Sequence, residues 1–243
     1  MLDLPRIVGH RGAAASAPEN TLAGIVRAHA LGCRWVELDA KLSFDNVVLL
    51  MHDERLERTT DGAGYVADHS AAELKRLDAG AWKGPRFAGE PIPTLSEAIA
   101  LMSRLGMGAN IEIKPCTGRE VETGRRVAQE LRRNWPRGHG LLLSSFSPAA
   151  LEAARSAAPE LPRGLLVEAP PPDWPTTVRR LGCQSINPWH EELGPETVEA
   201  ARGMGIIAIV YTVNDPARAA ALLEAGVASI ITDMPERLIP ALA

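Results

Sequence analysis

His10-Arg11 closes the apolar run that begins at Ile7, Glu37-x-Asp39 closes "WVELD", and Glu112-x-Lys114 sits in "IEIKP". Residues two apart on an extended strand point to the same side. Glu37, Asp39 and Glu112 can therefore converge, and three carboxylates brought together need a cation to offset their repulsion. A set of oxygens alone suits one hard divalent cation, Mg2+ or Ca2+. The plainer alternative is a set of salt bridges from these carboxylates to Arg11 and Lys114. His10 and His52 are the candidates for acid and base work, because imidazole titrates near neutral pH. One divalent ion with Arg11 and Lys114 over three carboxylates leaves a single net positive charge, which complements a singly charged phosphodiester. Phosphoryl chemistry uses such cations around developing oxyanions and needs an acid for the leaving alcohol. His190, after "INPW", is a strand-end candidate for substrate contact, whereas His29, His69 and His139 read as surface or loop residues.

Such residues need a frame that brings strand ends together. Strands are expected at Ile7–His10, Trp35–Asp39, Asn110–Lys114 and Leu141–Ser145, then at Arg163–Val167, Gln184–Asn187, Ile206–Thr212 and Ser229–Thr232. Helical patterns lie between them. Leu95, Ala98, Ile99, Met102 and Leu105 follow a Thr94-x-x-Glu97 capping box. Ser147-Pro148, Gly194-Pro195 and Asp215-Pro216 read as helix starts, and Gly32 and Gly226 as helix ends. Parallel strands joined by crossover helices predict a (β/α)8 TIM barrel. A doubly wound sheet is the rival, disfavoured because no G-x-G-x-x-G follows the first strand. In a barrel all strand C-termini ring one face, and each expected strand here ends on polar groups, among them Ser144-Ser145, Glu168, Asn187, Thr212 and Thr232-Asp233. "LDAKLSFDNVVLLMHD" reads as a hairpin turning at Asp45-Asn46, which would pair Asp39 with His52. Residues 53–93 lack a regular rhythm and read as an insertion or lid.

The 243 residues carry a net charge of −4, 46% hydrophobic residues and only 4% aromatic ones. That suits one large globular domain or two small ones, built of helix on sheet, and the barrel reading makes residues 1–243 a single catalytic domain. Mild acidity and the lack of any Lys/Arg run argue against a nucleic-acid surface. No stretch has the length and apolarity of a membrane span, so no stable membrane association is expected. Cys33, Cys116 and Cys183 fit neither a disulfide framework nor a zinc site, and no signal segment is visible, so a cytoplasmic location is expected. Homo-oligomerisation is left open.

"HRG…PENT", "ELDAKLS", "LLMHD", "LERTTDGAG", "IEIKP", "LLSSF", "YTVN" and "ITD", in that order, resemble the glycerophosphodiester phosphodiesterase family. The resemblance spans residues 6 to about 235, and "NIEIKP", "APELPRGLL" and "LGCQSI" look closest to its bacterial cytoplasmic members. It implies a TIM barrel with a small insertion after the "HD" motif, and metal-dependent hydrolysis of glycerophosphodiesters to sn-glycerol 3-phosphate and an alcohol. It further implies that His10 and His52 are the acid/base pair and that Glu37, Asp39 and Glu112 hold the metal. Arg11 and Lys114 would bind phosphate, and Glu19 of "PENT" would orient His10 or Arg11. Tyr211 stands where the family often has Trp and is expected in the pocket wall; Trp82 and Trp189 are further wall candidates. Two other activities compete. One is a lysophospholipase D or sphingomyelinase D-like phosphodiesterase; the other is a non-catalytic phosphoester-binding barrel. With no Ser or Cys placed beside a His, the 2-hydroxyl of the substrate's glycerol is a candidate nucleophile, with direct attack by water as its rival.

Overall fold

A computed structural model describes residues 4–242. Eight parallel strands form the barrel: β1 (Ile7–His10), β2 (Trp35–Leu42), β4 (Gly108–Ile113), β5 (Leu141–Ser145), β6 (Arg163–Val167), β7 (Ser185–Pro188), β8 (Ile207–Val210) and β9 (Ser229–Thr232). They are ordered β1-β9-β8-β7-β6-β5-β4-β2, and pairing of β1 with β2 closes the ring. The expected (β/α)8 TIM barrel is therefore the fold, with one extra strand, β3 (Val48–Leu50), antiparallel on β2.

Each barrel strand is buried on both faces, which is why its sequence is a near-continuous apolar run. Val8, Trp35, Leu142, Ile209 and Ile231 fill the interior. The Trp35 indole enters only because two neighbours lack side chains: an added Cβ would lie 2.4 Å from its ring at Gly108 and 2.0 Å at Gly140. The outer faces pack on amphipathic helices. Among these are α1 (Leu22–Ala30), α3 (Leu95–Leu105), α4 (Glu120–Asn134), α5 (Pro148–Ala157), α7 (Pro195–Gly203) and α8 (Pro216–Glu224). The Thr94/Glu97 capping box starts α3 as expected, and Ser147 and Asp215 cap α5 and α8 ahead of their prolines. Gly32 and Gly226 follow the ends of α1 and α8 with φ of 94° and 98°.

The hairpin register differs from expectation. Ala40 pairs with Leu50 and Leu42 with Val48, so Asp39 faces Met51, whose N–H donates to the Asp39 carbonyl at 2.9 Å; His52 lies one residue further on. The turn is the cause. It holds the five residues 43–47, closed by the Ser43 hydroxyl accepting from the Val47 N–H at 3.0 Å and by Asn46 at φ 64°, rather than two residues at Asp45-Asn46. His52 still reaches the barrel mouth because the chain bends immediately after β3. Residues 53–93 form short turns, three 3-10 segments and the single-turn helix α2 (Ala71–Leu74) over a small core of Leu49, Met51, Leu56, Val66, Leu74, Ala79 and Ile92.

Candidate active site

The C-terminal strand ends surround a cavity of about 660 Å³ lined by His10, Arg11, Glu37, His52, Asn110, Glu112 and Lys114 on one side. Phe146, Leu166, Glu168, Trp189 and Tyr211 line the other. Glu37, Asp39 and Glu112 come together as the strand spacing requires, with ligand atoms within 4.8 Å of one another. The registers Glu37↔Asn110 and Asp39↔Glu112 between β2 and β4 bring this about.

All three carboxylates are buried, and their charges are not matched locally. Lys114 pairs with Glu112 at 2.9 Å and lies 3.7 Å from Asp39; Arg11 Nε lies 3.2 Å from Asp39. Burial would raise Asp39, but Arg11, Lys114 and His52 outweigh it and hold it at about 2. Glu112 goes the other way: burial and then Asp39 push it up to about 7 despite Lys114. Burial and the repulsion of Asp39 and Glu112 raise Glu37 well above the carboxylate range. Glu37 Oε1 is buried with no hydrogen-bond partner, as are both amide atoms of Asn110 beside it. Salt bridges alone therefore leave surplus negative charge and an unpartnered oxygen at this point. The residues fit a hard cation, and the cluster could hold a metal ion.

The loop after β1 anchors the cluster. Arg11 adopts φ 49° and the following Gly12 φ 93°. An added Cβ at Gly12 would meet the Gly24 backbone at 2.6 Å, so this turn lies directly on the start of α1. Left-handed backbone at a non-glycine residue costs about 1–2 kcal/mol. Here it aims the Arg11 N–H at Glu37 Oε2 (3.2 Å) and the guanidinium at Glu19 (2.8 Å). "PENT" then divides its labour. Glu19 grips Arg11, not His10; Asn20 donates to Asp39 Oδ2 at 2.8 Å and accepts from the Asp39 N–H at 3.0 Å; Thr21 caps α1.

Each cavity histidine is backed by an aspartate. His10 Nδ1 lies 2.6 Å from Asp233 Oδ1, and Asp233 in turn accepts from Asn214 at 2.9 Å. His52 Nδ1 lies 2.6 Å from Asp53 Oδ1, and Arg58 bridges Asp53 and Glu19. In both cases the second ring nitrogen is left for the cavity. Burial, with Arg11 and Lys114 nearby, holds His52 below the usual imidazole value against the pull of Asp39. His10 Nε2 lies 3.7 Å from Glu37 Oε2.

Of the expected site residues, His10, Arg11, Glu37, His52, Glu112, Lys114 and Tyr211 line the cavity; Asp39 and Glu19 stand behind it. His190 is not among the lining residues: its neighbour Trp189 forms the wall, and the His190 ring packs on that indole at 6.1 Å. Both residues lie beyond the end of β7 at Pro188, where the backbone no longer alternates as a strand and turns Trp189 alone into the cavity. Trp82 is likewise absent from the cavity and lies out on the insertion, its indole donating to the Ala79 carbonyl. Residues whose part sequence reasoning missed include Asp53, Arg58, Asn110, Phe146, Asp233 and Lys41, whose ammonium donates to the Lys114 carbonyl at 2.9 Å. Asp53 and Asp233 carried a signal, since each adjoins a motif as "HD" and "ITD".

The pattern described as the Glycerophosphoryl diester phosphodiesterase family matches residues 10–237. The chain belongs to that family. It is 34% identical over 233 residues to a glycerophosphodiester phosphodiesterase of Caldanaerobacter subterraneus subsp. tengcongensis, covering 96% of both chains. It is 32% identical to one of Bacillus subtilis, covering 94% of this chain and 83% of that one. Among solved structures it is similar to an Oleispira antarctica phosphodiesterase in complex with the product sn-glycerol-3-phosphate. That match has TM-score 0.95 and 39% identity, and covers 98% of this chain and 97% of the other. The family's activity, hydrolysis of a glycerophosphodiester as a phosphoric diester hydrolase, is the activity of this barrel. Among the described residues no helix is long and apolar enough to cross a membrane.

Proposed function

We propose that the protein hydrolyses glycerophosphodiesters to sn-glycerol 3-phosphate and an alcohol, with a divalent cation and with His10 and His52 as the acid–base pair. The observation that carries this reading is a pair of imidazoles, each backed by an aspartate at 2.6 Å, over one buried carboxylate cluster flanked by Arg11 and Lys114. The similarity to an enzyme solved with sn-glycerol-3-phosphate supports the product. Glu37, Asp39 and Glu112 would hold the cation, Mg2+ or Ca2+, which when bound supplies charge for phosphoryl and hydroxyl oxygens. Arg11 and Lys114 carry the phosphate charge, and Glu19 and Asn20 hold Arg11 and Asp39 in place.

His52, kept neutral by its burial, takes the proton of the glycerol 2-hydroxyl, and that oxygen forms the new bond to phosphorus. His10, whose ring Asp233 orients, gives its proton to the departing alcohol oxygen as that P–O bond breaks. Water then opens the cyclic phosphate with the two imidazoles exchanging roles, as microscopic reversibility requires. Residues 53–93 belong to the same catalytic domain in this reading, because they deliver Asp53 and Arg58 to His52. We place the protein in the cytoplasm, on three cysteines that are all free and buried.

The test is turnover of glycerophosphocholine, glycerophosphoethanolamine and a lysophospholipid by purified protein with Mg2+ or Ca2+ and with a chelator. The reading requires release of sn-glycerol 3-phosphate from the first two, abolished by the chelator. Turnover confined to the lysophospholipid would replace it with a lysophospholipase D. Binding without turnover would replace it with a phosphoester-binding barrel.

A further inference from the structure

The two walls of the cavity differ in chemistry. The ends of β1, β2 and β4 supply ionised groups and imidazole, whereas the ends of β5 to β8 supply Phe146, Glu168, Trp189 and Tyr211. Phe146 and Tyr211 meet edge to face, with ring centres 5.9 Å apart and planes at 87°. The Tyr211 hydroxyl donates to the Val167 carbonyl at 2.8 Å. The Trp189 N–H is shared between the Val167 and Glu168 carbonyls at 3.2 and 3.1 Å, so these strand ends form one fixed wall. Phe146 and Trp189 are 42% and 36% exposed, large rings left at the mouth rather than in the core. The Lys114 ammonium lies 5.6 Å from the Phe146 ring centre, so one ammonium-to-ring contact already exists at this rim.

Glu168 is the odd member of this wall. Among the described residues its carboxylate takes part in no ion pair or hydrogen bond, although the cations across the cavity are all engaged by carboxylates. Aromatic faces attract cations through the negative potential above the ring, and an unpaired carboxylate adds a full charge. An alkyl chain would have no use for Glu168, and a neutral alcohol would use its oxygens only as hydrogen-bond acceptors and leave its full charge unmatched. On the opposite side, Asn110 is 2% exposed with both amide atoms unpartnered, as is Glu37 Oε1, which suits the hydroxyls of glycerol.

We propose that Phe146, Glu168, Trp189 and Tyr211 form the leaving-group subsite, and that it selects diesters of a cationic amino alcohol of the choline or ethanolamine type. This rests on the diesterase reading above, which puts the glycerol on the carboxylate side. Glu168 is then a specificity-determining residue, and the cationic alcohol leaves past the exposed rings into solvent.

The experiment compares glycerophosphocholine with the diester in which 3,3-dimethylbutanol replaces choline, a swap of N+ for carbon that keeps shape and removes charge. Wild-type kcat/KM should favour the choline diester by about tenfold. In Glu168→Gln and in Trp189→Ala the ratio should fall toward one. Equal kcat/KM for the two diesters in the wild type would overturn the subsite while leaving the diesterase reading intact. A ratio undiminished in Glu168→Gln would also overturn it. If neither diester is hydrolysed, the diesterase reading fails, and calorimetric binding of the same pair decides the subsite: tighter binding of the charged one upholds it, and equal or absent binding overturns it.

Discussion

Lowering the pH from about 8 to about 6 should weaken metal binding at the carboxylate cluster by at least about tenfold. In the metal-free protein burial and Asp39 push Glu112 up to about 7, and Glu37 is raised as well, so protons compete with an incoming cation at this cluster. At about pH 6 Glu112 alone is protonated about ten to one, which reduces apparent affinity about tenfold. The raised Glu37, pushed up by burial and by Asp39 and Glu112, makes the dependence steeper still. Folding stability of the metal-free protein runs the opposite way. With its value raised from 4.5 to about 7 in the folded state, Glu112 binds more protons folded than unfolded across that interval. Its contribution is fully present below about 4.5 and is lost as the pH rises through about 7, so the metal-free protein should weaken over that window while bound cation compensates. Titration calorimetry in two buffers of different ionisation enthalpy counts the protons directly. About one proton or more should be released per metal ion at about pH 6, and fewer at about pH 8.5. Equal affinity at both pH values, with no proton release, would refute the argument that these carboxylates repel one another into protonation and then bind metal.

Asp233→Asn should lower kcat by about a hundredfold with metal content unchanged, because the His10 ring loses the carboxylate 2.6 Å away and can meet an amide NH2 that favours the wrong tautomer; unchanged turnover would show that Asp233 does not set the His10 tautomer. A substrate lacking only the glycerol 2-hydroxyl should inhibit competitively without being turned over, and hydrolysis at a comparable rate would leave direct water attack as the route. Gly140→Ala, at the far end of the barrel, should destabilise the fold by about 1–3 kcal/mol, read as a lower unfolding midpoint, since its Cβ would lie 2.0 Å from the Trp35 indole. A midpoint equal to wild type would mean that Trp35 does not fill the barrel floor as described.

The barrel was legible because its strands are buried on both faces and its helices announce their starts. "IVGH", "WVELD", "IEIKP" and "SIIT" show the first property, and Thr94-x-x-Glu97, Ser147-Pro148 and Asp215-Pro216 the second. Glu37, Asp39 and Glu112 could be brought together on paper because strand periodicity has a fixed period and the barrel closes. The hairpin register could not be read, because it depends on a Ser43 hydroxyl and a left-handed Asn46, choices that shift the pairing by one residue without changing the hydrophobic pattern. His190 and Trp189 show the same limit just beyond a strand: which neighbour faces the cavity depends on the last backbone dihedrals. The pairing of Asp233 with His10 was hidden for another reason. Asp233 lies 223 residues from His10 in sequence, and only closure of the ring through β9 brings it near.

The central claim is that two imidazoles carry protons for a phosphodiester cleavage while three carboxylates, independently, hold the cation. Turnover of glycerophosphocholine measured alongside metal content in His10→Ala and His52→Ala tests it most directly. The account predicts that each variant loses about 10²–10⁴-fold in kcat and still binds metal as the wild type does. Near wild-type turnover in either variant, or loss of metal in step with loss of activity, would contradict it.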